Sequence, residues 1–315
     1  MPLIILSLLV IQLPFETAPL NFAVLRLTNL EITGILAIIA TGIAAIRRGG
    51  RFDGLDWSLL CLGGAWLMAG LGAPEDYESA IGQAGRMAAG PVLCIFARSA
   101  LTPAGRARLP LVLAVTGALA ATMVATMALA WPAIRIPGDV LSDPGQTAAF
   151  LAVSLPFLLF ALPERAGSGL AACVAIPAVI TAAVLAVSPV LPALAHGPAG
   201  AVSRATAHAG ALLSRPALGA GPGRLAKPGT ALPLYLRVPE ESGLPAAAAF
   251  LSVIVFAFSR LLPGIRGKRT RRAACAGAAA VTGWLVIGSG GAQVLSSGCS
   301  LAFWTAVALA ASRGT

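Results

Sequence analysis

The sequence predicts an all-α integral membrane protein: a polytopic bundle of about ten transmembrane helices with one long loop between the seventh and eighth. Three observations predict it. The 315 residues are 57% hydrophobic and 11% charged, with a mean hydropathy of +0.87, where a soluble domain carries about 25% charged residues. The apolar residues fall in runs long enough to cross a bilayer. The cations fall mainly in the short gaps between those runs.

The runs follow in order. The first, 1–13, lacks the basic leader and small-residue cleavage site of a signal peptide and reads as a short retained helix. The second, 30–46, stops at Arg47, Arg48 and Arg51. The third, 57–71, ends in the acidic turn Glu75-Asp76-Tyr77-Glu78. The fourth, 81–97, contains Arg86 and leads to a basic loop, 98–108. The fifth, 109–131, is separated by the polar connection 135–144 from the sixth, 147–162, and the seventh is 169–194. The eighth, 244–262, is closed by Arg266, Lys268, Arg269, Arg271 and Arg272; the ninth and tenth are 273–287 and 294–311. No internal repeat divides the chain, so 1–315 reads as a single membrane domain with 195–243 as its long loop.

Charge sets the orientation. The net charge is +10, from 22 Lys and Arg against 12 Asp and Glu. With alternating spans, Arg47, Arg48, Arg51, Arg98, Arg106, Arg108, Arg165, the 266–272 cluster and Arg313 share one side. Positive residues mark the cytoplasmic side. Loop cations of this kind exclude a nucleic-acid reading. The loop 195–243 then faces outward, into the periplasm if the membrane is a bacterial inner membrane. Cys61, Cys94, Cys173, Cys275 and Cys299 lie in or beside apolar runs without metal-ligand spacing. No metal or cofactor is expected.

Charges inside spans are costly and mark sites to explain. Arg26 and Glu31 flank the second span and are expected to pair with each other, although five residues apart is a poor helical spacing. Arg86 either snorkels to the interface or faces an anionic ligand. Five cations in the outward loop, Arg204, Arg215, Arg224, Lys227 and Arg237, run against the orientation bias. They predict either a solvated basic loop or an anion to bind. Arg204 and His208 are four apart and share a helix face. Residues 216–223, PALGAGPG, form a turn whose small residues let backbone approach a ligand. No strand precedes it, which excludes a dinucleotide fingerprint.

From Ser203 onward the chain resembles the O-antigen ligase and O-antigen polymerase superfamily. That family shows an outer-loop arginine, then Pro-x-x-Gly-x-Gly-x-Gly, then His-Asn-x-Tyr-Leu and Glu-x-Gly-Leu before a membrane helix. Arg204, 216–223, Tyr235-Leu236 and Glu241-Ser242-Gly243-Leu244 stand at the matching places. Weaker echoes are Leu25-Arg26-Leu27-Thr28 and the stretch 143–156. Where the family has His-Asn, this chain has Leu232-Pro233, and the nearest match to a second family arginine is Val187-Ser188-Pro189.

The resemblance implies a membrane glycosyltransferase that moves a glycan from undecaprenyl-diphosphate to an acceptor hydroxyl on lipid A core or on another glycan. Arg204 and His208 would be catalytic. Arg26, Arg86, Arg215, Gly219, Gly221, Gly223, Arg224, Tyr235 and Glu241 would bind substrate. A diphosphate leaving group needs its charge neutralised, and arginine forks suit that without a metal. The other reading is a non-catalytic relative that binds lipid-linked glycan or scaffolds polysaccharide assembly. A transporter would carry charges at mid-membrane on several spans, which this chain lacks.

Overall fold

In the computed structural model the described residues are 1–15, 20–22, 25–49, 52–73, 77–130, 144–160, 215–222, 234–266, 271–289, 295 and 297–311. The expected seventh span lies outside them. Among the described residues the architecture is helical apart from one small ribbon. Helix α1 is Pro2–Gln12. Strands β1, Leu20–Phe22, and β2, Leu25–Leu27, pair antiparallel, with Asn21 opposite Arg26. Then come α2 (Asn29–Arg47), α3 (Gly54–Leu71), α4 (Tyr77–Ala100) and α5 (Pro103–Ala130). Helix α6 (Pro144–Ser154) tightens into a 3₁₀ turn, Leu155–Phe160. Last are α7 (Leu234–Arg266), α8 (Arg271–Ser289) and α9 (Ser297–Ala310).

The protein is an all-α membrane protein by the length and apolarity of its helices. Among the described residues, five helices are long and apolar enough to cross a bilayer: 29–47, 54–71, 77–100, 103–124 and 234–265. Four shorter apolar helices accompany them. Large apolar side chains such as Ile35, Ile39, Ile43, Leu251 and Val255 remain exposed on the outside of the bundle. That is the surface a lipid-facing helix presents.

Local sequence explains where the helices begin. Thr28 caps α2: its hydroxyl accepts from the Glu31 N–H, and the Glu31 carboxylate accepts from the Thr28 N–H. Asp53 and Asp56 form the same reciprocal box at the start of α3. Helix α4 is the hub, packing against α2, α3 and α9, while α7 packs on α3 and α8. Small residues permit the close crossings. Gly70 of α3 sits against Ala84 of α4, and Gly90 of α4 sits under the indole of Trp304. Trp304 meets Phe303 edge-on, and Phe303 stacks on Trp284 at 4.0 Å.

One end of the bundle holds a buried charge network. Arg98 near the end of α4 is fully buried. Its guanidinium donates to Asp53 at 2.9 Å, to Asp56, and to the carbonyl oxygen of Ala311 at 3.0 Å. Arg260 of α7 donates to Asp53 at 3.1 Å. Arg48 donates to the carbonyl oxygen of Ala100 at 2.7 Å, closing the end of α4. The end of α2, the start of α3, the end of α4 and the last turns of α7 therefore lie together. A buried charge is tolerated only when paired, and here two aspartates balance two arginines. The sequence reading counts Arg98 as a loop cation; the structure makes it a buried ion-pair centre.

Candidate functional site

Two differences from expectation shape the site. The helix expected to start at residue 244 starts at Leu234, so the last part of the expected loop is helical. That helix is interrupted at Gly243, where φ is 80° and ψ is 172°. Only glycine adopts this backbone region readily. The stub 234–242 and the main helix are thus two pieces joined by a corner.

The corner exposes backbone groups that a continuous helix would consume. Pro245 has no N–H, so the carbonyl of Glu241 lacks its helical donor. Gly243 turns the Leu244 N–H away from the Glu240 carbonyl. Residues 215–222 fill these vacancies. Gly221 N–H donates to the Glu241 carbonyl at 3.0 Å, and Ala220 N–H donates to the Glu240 carbonyl at 2.8 Å. The Leu244 N–H donates to the Pro216 carbonyl at 2.8 Å. Gly219 N–H closes the turn on the Arg215 carbonyl at 2.9 Å. Buried backbone polar groups must find partners, and here two distant segments satisfy each other.

Glycine is required on both sides of this joint. Gly219 has φ 66° and Gly221 φ 104°. A Cβ on Gly219 would lie 2.5 Å from the Glu241 carbonyl carbon. One on Gly243 would strike the carbonyl oxygen of Ala217. The turn rests on the end of α3 and the start of α4, where Leu218 approaches Gly72 and Gly221 approaches Ala73 and Ala80. This is the end of α3 opposite Asp53 and Arg98.

Side chains in the stub are committed to structure. Arg237 donates from Nε to the Glu241 carboxylate at 3.1 Å, one helical turn apart and both buried. Arg237 is therefore paired within the helix and is not a solvated loop cation. Tyr235 is exposed, with its hydroxyl 3.4 Å from the carbonyl oxygen of Leu285. Arg215 is exposed at the edge of the turn.

The structure brings Arg215, Gly219, Gly221 and Glu241 together, with Tyr235 on the same stub. Arg86 is elsewhere. It lies on the face of α4 toward α2, whereas the turn packs on the α3 side. Glu31 pairs with Arg86 at 2.5 Å. The side chain of Arg26 lies outside the described residues, as do Arg204, His208, Gly223 and Arg224. Among the described residues no three His, Cys, Asp or Glu side chains gather as a metal site. The partners the sequence reading missed are Asp53 and Asp56. Their Asp-x-x-Asp spacing is a helix-start signal that could have revealed them.

No family model matches the chain, and no curated protein matches it.

Proposed function

We propose that the protein is an O-antigen ligase- or polymerase-like membrane glycosyltransferase. It moves a glycan from undecaprenyl-diphosphate to an acceptor hydroxyl on lipid A core or on a growing glycan, at the periplasmic face of a bacterial inner membrane. In this reading ten spans carry the outward loop, and the loop carries the chemistry.

The joint between 216–221 and 240–244 is the observation that supports the reading. The two stretches on which the resemblance rests meet through three backbone hydrogen bonds. Each contributes a glycine with positive φ at the contact. Unrelated glycines in a solvated loop have no reason to be complementary in this way. In this reading the joint anchors the loop on the membrane helices, and Arg204 and Arg224 are the loop cations that would meet a diphosphate. A planar guanidinium fork neutralises that leaving group as its charge develops.

A non-catalytic reading is favoured by one observation, the leucine at position 232. A leucine there cannot take a proton from the acceptor hydroxyl.

The test is glycan transfer by the purified protein in liposomes, with undecaprenyl-diphosphate-linked glycan and either acceptor. Arg204→Ala and Arg204→Lys should both lose about ten-fold or more in turnover, since a charge-assisted contact contributes roughly 1.5–3 kcal/mol. Unchanged transfer by Arg204→Ala would remove the loop from the mechanism. Binding of the lipid-linked glycan without transfer would select the non-catalytic reading.

A further inference from the structure

A second site lies at the other end of the bundle from the joint and does not depend on the function proposed above. Helix α4 ends at Ala100 and α5 begins at Pro103, so the chain turns a tight corner there. Two arginines from different helices meet at that corner. Arg48, the C-cap of α2, reaches across and donates from a terminal nitrogen to the Ala100 carbonyl oxygen at 2.7 Å. Arg106 stands near the start of α5, its N–H donating to the Thr102 carbonyl oxygen at 2.9 Å. A helical side chain leans toward the start of its helix, so that of Arg106 is directed back to the same corner. The two cations are close enough to repel each other.

No carboxylate balances them among the described residues. The side chain of Arg106 makes no hydrogen bond or ion pair there, and its Nε is buried without an acceptor. Arg48 donates only to main-chain carbonyls. The aspartates at this end, Asp53 and Asp56, pair with Arg98, and Asp53 also pairs with Arg260. Arg86, by contrast, is neutralised by Glu31. The corner therefore carries two uncompensated positive charges, to which α5 adds the positive end of its dipole. A buried guanidinium nitrogen without an acceptor costs free energy, and holding two like charges together adds to the cost. A solvated cation avoids both by turning into water. Here Arg48 is fixed by its bond to Ala100 and Arg106 is half-buried. An anion between them offsets both costs.

We propose that Arg48 and Arg106 form an anion site that binds a phosphate group. Guanidinium forks match phosphate oxygens, and one phosphate has enough oxygens to accept from both arginines at once. Chloride offers no such geometry. Two sources share this chemistry: a free phosphate ion, and the head group of an anionic lipid at the bilayer surface that α2 and α5 both reach here.

The experiment uses the full-length protein in a non-ionic detergent. Inorganic phosphate is the first probe, read as a saturable rise in melting temperature over chloride at equal ionic strength. Phosphatidylglycerol is the second, read as retained lipid by native mass spectrometry, with diacylglycerol of the same chains as its control. Binding of inorganic phosphate identifies a soluble source. Retention of phosphatidylglycerol over diacylglycerol, without binding of inorganic phosphate, identifies the bilayer. Arg48→Gln and Arg106→Gln should each weaken binding of that probe about ten-fold, the loss of one charge-assisted contact. The two changes lie on different helices, so the test survives if either variant fails to fold. Arg108→Gln is the control for net charge. It removes an exposed cation two positions along α5, on the opposite face of the helix, and should bind as the native protein does. Binding of neither probe would overturn the proposal. So would equal losses in Arg106→Gln and Arg108→Gln, which would show a diffuse cationic surface in place of a site.

Discussion

The backbone N–H of Leu244 donates to the carbonyl oxygen of Pro216 at 2.8 Å, joining the first turn of the main part of α7 to a turn that precedes it in sequence. The bond exists because Gly243 breaks the helix just before Leu244. A residue with a side chain at Gly243 would need a backbone region that L-residues avoid and would collide with Ala217.

Glycine replacement tests this joint. Gly219→Ala and Gly243→Ala should each destabilise the protein by at least about 1–2 kcal/mol, the order of cost for forcing a Cβ into positive φ, with the backbone collision added. Gly64→Ala is the control. It lies on an exposed helix face with open space around it and should be neutral or stabilising by up to about 1 kcal/mol. Thermal unfolding in detergent reads all three. Equal melting of Gly219→Ala and Gly64→Ala would show that the joint carries no strain.

Arg98 supplies a second test. Removing one partner from a buried charge pair costs roughly 3–5 kcal/mol, because the other charge is left unpaired. Arg98→Met should therefore destabilise by about that amount. Asp56→Asn removes one of the stranded carboxylates. Adding it to Arg98→Met should cost less than the sum of the two single changes, by about 1–3 kcal/mol of coupling. Strict additivity in chemical unfolding would mean that the two side chains do not interact.

The helices were legible because apolar runs dictate them: 30–46 became Asn29–Arg47, and 273–287 became Arg271–Ser289. The start of α7 was not legible. Pro239, Gly243 and Pro245 give 234–245 the composition of a loop. The helix nevertheless forms there, because the groups freed at Gly243 and Pro245 are satisfied by another segment. That satisfaction is tertiary and no local pattern announces it. The glycine turn was visible as a motif, but its partner was not. For Glu31, spacing argued against Arg26 without pointing to Arg86, because that contact depends on how α2 crosses α4.

Orientation is open to a direct measurement. The ends bearing Arg48, Arg98 and Arg260 gather at one end of the bundle, and the turn 215–222 sits at the other. The positive-inside bias assigns the first end to the cytoplasm. Reporter fusions after Gly229 and after Arg269 should then report opposite compartments, the former outside. The same compartment for both would place the loop and the cationic end on one side, and the proposed outward chemistry would fail with it.

The last prediction concerns the base. Deprotonating an acceptor hydroxyl is helped by a group whose pKa lies near the working pH, and histidine is naturally there. The family-matched position holds Leu232, so either another group substitutes or transfer does not occur. Two histidines exist, His196 and His208. His196 neighbours Gly197-Pro198 and has no cation at helical spacing. His208 follows Arg204 by four residues, so on a helix both would face one ligand. Glu241 is a weaker candidate, since its carboxylate is buried against Arg237 and its carbonyl holds Gly221. We therefore predict that transfer, measured in liposomes, falls about 10²–10⁴-fold in His208→Ala, the loss expected when a general base is removed. His196→Ala should leave it unchanged. Leu232→His, placed on the His208→Ala background, should restore part of the rate. Equal transfer by native protein and His208→Ala would sink the substitution idea. Inert native protein that gains activity only with Leu232→His would identify a binding protein that has lost its base.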